Sequence, residues 1–268
     1  MDVLEWALVP KRPGARGEDR VVIGARYLAV IDGASSPDQR RGDGSGGGAL
    51  VADALAEALG SLPALPVPVL VEALSAAVQA ALDAGPFAGG PRPAASAVIY
   101  AREGRHLLRV GDCGFVLAGR VDRPVKRVDA LLAGLRGLSA ALPRDALPLS
   151  DAVLEAAGGD AGRAAILPFL RAQHHLQNQP GRWGFGVFDG QPVRPEHITE
   201  VAVPPGAEVI LFSDGYPAPG HSLAEAEALL QAALRDDPAC LQGNAGTKGW
   251  AGPPARSYDD RAYLRFRA

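Results

Sequence analysis

Acidic residues beside apolar runs are the side chains in this sequence whose types and spacing could do chemistry. The runs must lie in the core, and the residues at their ends are Glu18, Asp19, Asp32, Asp112, Asp214, Asp259 and Asp260. Several of these side chains could converge at sheet edges, where unpaired carboxylates would repel each other and lose hydration. A divalent cation removes that cost, and oxygen ligands without Cys or paired His favour Mg²⁺ or Mn²⁺ over zinc. Two such ions clamp a phosphoryl group and generate a hydroxide near neutral pH.

An Asp-Gly pair at the end of a strand also has a plainer interpretation, because it is ordinary turn chemistry. Asp189-Gly190 in "GFGVFDG" has the same appearance as Asp32-Gly33 in "YLAVIDG", and it is predicted to be a plain turn. The order and spacing of the acidic residues taken together, rather than any one of them, indicate a site.

The elements that must position these residues follow from the pattern of apolar residues. Strands are predicted at 20–33, where two surround a short turn, at 94–125, at 208–213 and at 259–268. A glycine-rich loop that runs into a helix is predicted at 44–62. Helices are also predicted at 68–85, with an apolar face of Leu70, Leu74, Val78 and Leu82, and at 223–237. This order favours antiparallel sheets covered by helices over alternating βαβ units.

Composition bounds the class of protein. The 268 residues suffice for one large domain or two small ones, and 47% hydrophobic with 21% charged residues is a soluble, globular composition. The net charge of -3 offers no attraction to nucleic acid or to an anionic membrane. Two cysteines form neither a disulfide framework nor a zinc cluster. With no signal-peptide pattern and no apolar span, a cytoplasmic location is predicted.

Six short motifs in a fixed order resemble a known family. Read along the chain they are "GEDR", "AVIDG", "ASAVIY", "VGDCGFVL", "ILFSDGY" and "YDDRAYL". In this order they resemble the motifs of the metal-dependent protein phosphatases of type 2C, from Gly17 to Phe266. The resemblance implies an α+β fold, a four-layer αββα sandwich of two antiparallel sheets flanked by helix pairs. It also implies one catalytic domain over 1–268, with a flap-like insert at about 126–180.

The resemblance implies the following metal site. Asp32 would bridge two ions, the carbonyl of Gly33 would bind one of them, and Asp214 and Asp259 would complete the first ion's shell. Asp259 and Asp260 are adjacent, so which one ligates stays open, and the motif favours Asp259. Metal-bound hydroxide, rather than a side chain, would attack phosphorus in line.

Three further acidic residues are assigned by the same resemblance. Glu18 and Asp19 would hold metal-bound waters, and Asp112 would serve a third, weaker ion together with Asp214. The candidate catalytic residues are thus Asp19, Asp32 and Asp214, and the cofactor is two Mg²⁺ or Mn²⁺ ions, with a third at Asp112.

The chain departs from the family pattern at two positions. The family's phosphate-binding Arg usually stands five residues before the acidic Asp, where this chain has Gly14 between Arg12 and Arg16. Arg16 is the candidate substitute, although an exposed arginine is often only a surface residue. Where eukaryotic members carry a His after Asp-Gly, this chain has Ala34, so metal-bound water would protonate the leaving group.

The sequence therefore favours a phosphatase of phosphoserine and phosphothreonine in proteins. An alternative keeps the chemistry but acts on a small phosphorylated metabolite, and another is a non-catalytic binding or sensor module, which the filled acidic set disfavours. The expected partner is a phosphoprotein or a small phosphorylated substrate, with neither nucleic acid nor membrane. The insert ends in polar residues, 174–178, that either contribute to specificity or form a surface excursion with no role.

Overall fold

Two antiparallel five-stranded sheets form the centre of the molecule. The computed structural model describes residues 2–35, 46–85, 87, 91–143 and 145–268. The first sheet has the order β2 (Arg20–Ile23), β3 (Tyr27–Ala34), β4 (Ala94–Ala101), β5 (His106–Val110) and β8 (Ile198–Ala202). The second has the order β1 (Asp2–Val9), β10 (Arg261–Arg267), β9 (Glu208–Phe212), β6 (Gly114–Leu117) and β7 (Arg120–Asp122).

Helices cover the outer faces of both sheets. Helices α1 (Gly47–Ser61) and α2 (Val67–Ala84) pack on the first sheet, and α6 (Leu223–Asp236) packs on the second. Between β7 and β8 lie α3 (Arg127–Ala141), α4 (Asp151–Ala156) and α5 (Ala161–Ala172), followed by a 3₁₀ turn at Gln173–Leu176. Local sequence sets the ends of these helices: the side chain of Asp160 accepts the Arg163 amide at 2.8 Å at the start of α5.

The alternation of side chains along β3 places Asp32, which lies near the end of that strand. Leu28 and Val30 lie in the core between the sheets, whereas Ala29 and Ile31 face α1 and α2. Because side chains alternate with a period of two, Asp32 leaves β3 on the face shared with the second sheet. The apolar run thus dictates both that the strand is buried and that its terminal carboxylate lies between the sheets.

The predicted fold class is confirmed, with two differences in detail. The structure has two antiparallel sheets with flanking helices, but in its described part α6 alone, rather than a helix pair, covers the second sheet. The strands β1 and β8 were not predicted. Both lie at sheet edges, and their partly exposed side chains lack the buried apolar run that marks a central strand.

The predicted helices are confirmed where the structure describes them. The face of α2 at Leu70, Leu74, Val78 and Leu82 is buried, as its spacing predicts. Residues 44 and 45 of the predicted glycine-rich loop lie outside the described residues, and the helix that follows, α1, begins at Gly47. By length and composition α2 is also apolar enough to cross a membrane, but the same test is passed by core helices such as this one, which packs on the first sheet.

Candidate active site

The acidic strand ends come together at one cleft. Its volume is about 190 Å³, and the acidic residues that line it are Glu18, Asp32, Asp112, Asp129, Asp214 and Asp259. The cleft is also lined by basic residues, which are Arg92, Lys126, Arg163, Arg171 and Lys248. The sequence predicted five of the six acidic residues at a common site, whereas it assigned none of the five basic ones.

Asp32 lies at the centre of the acidic cluster. Burial raises the pKa of its carboxyl well above the ordinary value, and four other carboxylates raise it further, those of Asp19, Asp214, Asp259 and Asp112. Ionising Asp32 therefore requires positive charge to be brought close to it.

Asp214 has a similar environment, but two lysines partly offset the effect of its neighbouring carboxylates. Burial, together with Asp259 and Asp112, raises the pKa of Asp214 to about 6, although Lys248 and Lys126 lower it in part. Asp32 and Asp214 thus form an inner pair of carboxylates whose repulsion is not balanced by the protein's own basic groups.

Asp19 is buried behind the cleft rather than in its lining. It is 2% exposed, and its Oδ2 accepts a hydrogen bond of 2.7 Å from Ser213 Oγ. Burial raises its pKa well above the ordinary value, the hydroxyl of Ser213 lowers it, and Asp260, Asp259 and Asp214 raise it. Because Ser213 Oγ also accepts the Ala262 amide at 2.9 Å, Asp19 is tied to the junction of β9 and β10.

The adjacent Asp259 and Asp260 have different surroundings. The two carboxylate oxygens of Asp260 accept backbone amides, from Lys11 at 2.7 Å and from Glu18 at 3.0 Å, and the side chain is 5% exposed. Asp260 therefore joins the loop after β1 to the start of β10. Asp259 instead lines the cleft, where it forms ion pairs with Lys248 and, at 3.2 Å, with Lys11.

Asp112 is held by two side chains. Ser96 donates its hydroxyl to Oδ1, and the ammonium of Lys126 lies 2.8 Å from Oδ2. Burial would raise the pKa of the Asp112 carboxyl, but Lys126 and Ser96 outweigh it and hold the pKa below the ordinary value. Burial would likewise lower the pKa of Lys126, but Asp112 and Asp129 outweigh it and raise it.

Glu18 and Gly33 lie where β3 meets α1. Ser35 donates its hydroxyl to Glu18 Oε1 and accepts the Gly48 amide at 2.9 Å. A Cβ atom on Gly33 would lie 2.5 Å from the Gly48 carbonyl oxygen and 2.7 Å from that of Glu18. The structure thus gives close packing of backbone on backbone as a reason for glycine at position 33.

Arg16 does not reach the cleft. Its side chain is 64% exposed, and its guanidinium pairs with Asp53 on α1 at 2.8 Å. Asp189 also lies outside the lining, in agreement with its prediction as a turn: its Oδ1 accepts the Gln191 amide at 2.9 Å, and Gly190 has a φ of 85°.

The insert forms one side of the cleft. Eight of the 20 residues that line the cleft come from 126–180. Four of these eight are the charged residues named above, and the other four are Leu170, Gln173, His174 and Gln177. The sequence pointed to the insert beside the site and to its polar end, 174–178, which includes His174 and Gln177. Which of them would face a ligand was not predictable, because helix faces in a segment with many chain breakers have no clear period.

The carboxylate cluster has donors suited to divalent cations. As the side chains lie, no group of three or more His, Cys, Asp and Glu residues in the described part of the chain is arranged to hold a metal ion. The donor chemistry nevertheless fits Mg²⁺ or Mn²⁺ around Asp32 and Asp214, because these are partly buried oxygen ligands whose mutual repulsion a cation relieves. A cation at Asp259 would compete with Lys248 and Lys11, which both pair with its carboxylate.

Comparison with known proteins identifies the fold. No family model and no curated protein matches the sequence. A bacterial serine phosphatase is 10% identical with a TM-score of 0.53, over 100% of this chain and 97% of that one. The serine/threonine phosphatase Stp1 from Staphylococcus aureus is 10% identical with a TM-score of 0.50, over 98% and 93%. The phosphatase PstP/Ppp from Mycobacterium tuberculosis is 19% identical over 98% of each chain, but at a TM-score of 0.47 it adds nothing to the assignment. At these identities the likenesses show that the chain shares the fold of these phosphatases.

Proposed function

We propose that this chain is a Mg²⁺- or Mn²⁺-dependent phosphomonoester hydrolase that removes phosphate from phosphoserine and phosphothreonine in proteins, in the cytoplasm. The observation that carries the proposal is the inner pair Asp32 and Asp214, which lie partly buried among other carboxylates in a cleft that also holds three arginines. An acidic cluster of this kind is costly unless cations occupy it, and basic side chains beside it suit an anionic substrate.

Four groups would hold the cations. The carboxylates of Asp32, Asp214 and Asp259 and the carbonyl oxygen of Gly33 supply oxygen ligands at the cleft. Divalent cations bound there would neutralise the charge of the phosphate and lower the pKa of water. Asp19 lies behind these groups, and through Ser213 it fixes the strand ends that carry Asp214.

The arginines of the cleft would hold the phosphate. Arg92 comes from the loop before β4, where it donates to the Asp189 carbonyl at 2.9 Å and to Gln79 Oε1 at 2.9 Å. Arg163 and Arg171 come from α5 of the insert. A guanidinium presents paired donors that match two phosphate oxygens, so these residues take the role that the sequence gave to Arg16.

Phosphoproteins are the favoured substrates because the two solved proteins described above with TM-scores of 0.50 or more are a serine phosphatase and a serine/threonine phosphatase. One observation favours a small phosphorylated metabolite as the second candidate. The insert supplies eight of the 20 residues that line the cleft, so it is placed to contact parts of a small substrate beyond its phosphate.

The proposal is tested by hydrolysis of an aryl phosphate. We expect turnover to require added Mn²⁺ or Mg²⁺ and to stop with chelator. Asp32→Asn should lower turnover by more than the roughly 10–100-fold that loss of an outer-shell partner costs. Asp189→Asn is the matched control, because its Oδ1 can still accept the amides of Asn178 and Gln191. Undiminished turnover in chelator, or equal losses in the two variants, would refute the proposed site.

Substrate class is tested by comparing a phosphopeptide with a set of metabolite phosphates. Turnover per unit enzyme should be highest on the phosphopeptide for the intact chain. A chain shortened within 126–180 that loses only its metabolite turnover would favour the second candidate. An equal loss on all substrates would show that the insert is structural.

A further inference from the structure

Lys126 is a partly buried lysine that the acidic motifs did not predict. It immediately precedes α3, and its side chain is 13% exposed. The ammonium lies 2.8 Å from Asp112 Oδ2 and 5.2 Å from the centroid of the Phe185 ring. Packing on an aromatic ring and pairing with a carboxylate both stabilise a positive charge at this position.

The carboxylate of Asp112 has a partner on each oxygen. Ser96 donates to Oδ1 while Lys126 donates to Oδ2, and Ser96 lies on β4, directly beside the strand that leads to Asp112. A divalent cation at Asp112 would lie against the Lys126 ammonium. Two positive charges at that separation repel, so the ion and the ammonium compete for the same oxygens.

The use of lysine in this chain supports a specific role for it. Of the 27 lysine and arginine residues, three are lysines. All three pair with carboxylates at this end of the sandwich: Lys126 with Asp112, and Lys11 and Lys248 with Asp259. Lys126 differs from the other two in being less able to move aside for an ion, because its side chain is 13% exposed and packs on Phe185, whereas those of Lys11 and Lys248 are 27% and 25% exposed.

We propose that Lys126 takes the place of a third cation: its ammonium is the fixed positive charge that Asp112 holds, and divalent ions bind around Asp32 and Asp214 but not at Asp112. This inference rests on the proposed metal dependence of the site. It also revises the role of Asp112, which the resemblance assigns to a third, weaker ion. Lys126 becomes a positioning residue whose charge faces the same cleft as the phosphate-binding arginines.

The experiment counts bound Mn²⁺ in the full chain by isothermal titration and by electron paramagnetic resonance of the free ion. Lys126→Met removes the charge and keeps most of the side-chain volume, and Lys126→Arg keeps the charge. We expect Lys126→Met to bind one more ion than the intact chain, and adding Asp112→Asn to that variant should abolish the extra ion. Lys126→Arg should bind the same number as the intact chain.

Each outcome bears on the inference. An unchanged count in Lys126→Met would overturn it, as would the loss of one ion in Asp112→Asn with Lys126 intact. If Lys126→Met does not fold, as judged by its thermal melt, the count in Asp112→Asn alone still decides. Mn²⁺-dependent hydrolysis with the wrong counts overturns only this inference, whereas absence of Mn²⁺ binding in every variant also overturns the proposed metal dependence.

Discussion

Replacing Arg136 by methionine tests how the insert is fixed against the rest of the molecule. Arg136 lies on α3 and is 2% exposed. Its Nε and Nη2 donate to Asp160 Oδ2 at 2.9 and 2.6 Å. Its Nη1 donates to the carbonyls of Cys240 at 3.1 Å and Gly246 at 2.9 Å, and its Nη2 also donates to that of Ala239 at 2.8 Å. One guanidinium therefore joins α3, the start of α5 and the loop after α6.

The size of the effect follows from what methionine leaves behind. Methionine fills much of the space but removes all five hydrogen bonds, so three carbonyls and one carboxylate lose a donor. Breaking a buried ion pair by removing one partner costs about 3–5 kcal/mol. The side chain of Asp160 is 27% exposed and can regain water, so the lower figure, about 3 kcal/mol, is expected. At about 2–4 °C per kcal/mol for a chain of this size, Tm should fall by about 6–12 °C.

Thermal unfolding followed by calorimetry at neutral pH measures this change. Arg127→Met is the matched control, because Arg127 lies on the same helix and is exposed. Its variant should unfold within about 0.5 kcal/mol of the intact chain, as is usual for surface substitutions. A fall in stability of less than about 1 kcal/mol for Arg136→Met would refute the reasoning, since a single ordinary hydrogen bond is worth that much.

Two further predictions concern the stability of the molecule, at Glu227 on α6 and at Gly33 in the cleft. Burial would raise the pKa of Glu227, but hydrogen bonds from Arg261 and Tyr216 outweigh it and hold the pKa below the ordinary value. The stability this carboxylate contributes is therefore present above an ordinary pKa of about 4.3 and is lost as pH falls through the lower folded pKa. Glu227→Gln should lower the free energy of unfolding by about 1–3 kcal/mol at pH 7. On acidification the variant should lose less stability than the intact chain, as measured by urea unfolding from neutral to acid pH. Equal losses of stability in the two proteins would contradict this. Gly33→Ala should cost about 1–3 kcal/mol and weaken Mn²⁺ binding in titration, because its Cβ would meet two carbonyl oxygens, whereas Gly60→Ala on α1 meets nothing within 4 Å and should be slightly stabilised.

Five of the six acidic residues of the cleft could be predicted from the sequence, for a definite physical reason, and Asp129 on α3 could not. An apolar run such as 27–31 is stable in water only when it is buried, here as a strand. The period-two alternation of side chains then fixes the face of the sheet on which Asp32 lies. The same reasoning applies to 208–212 and Asp214. Strand-end residues are therefore predictable from local pattern alone.

The basic residues of the cleft were not predictable in this way. Lys126 and Lys248 reach their carboxylates across 14 and 11 positions of chain, from loops whose path local pattern does not set. Arg16 was favoured because it lies near a motif, but a long, exposed side chain takes whichever partner is close, and here that is Asp53. The different surroundings of adjacent Asp259 and Asp260 likewise depend on backbone amides that only the fold brings together.

The lysines divide the acidic cluster into two parts with different electrostatics. Asp112 and Asp259, on the outer sides, each hold an ammonium, so much of their charge is already balanced. The inner pair is not balanced to the same degree: the pKa of Asp214 is still raised to about 6 by burial, Asp259 and Asp112 despite the opposing effect of Lys248 and Lys126. Added positive charge is therefore most stabilising between Asp32 and Asp214, and this is where a divalent cation would bind first. Asp259 pairs with both Lys248 and Lys11, so its ligation of a cation would displace their ammonium groups, and we expect cation binding to be coupled to movement of the loop after α6 that carries Lys248.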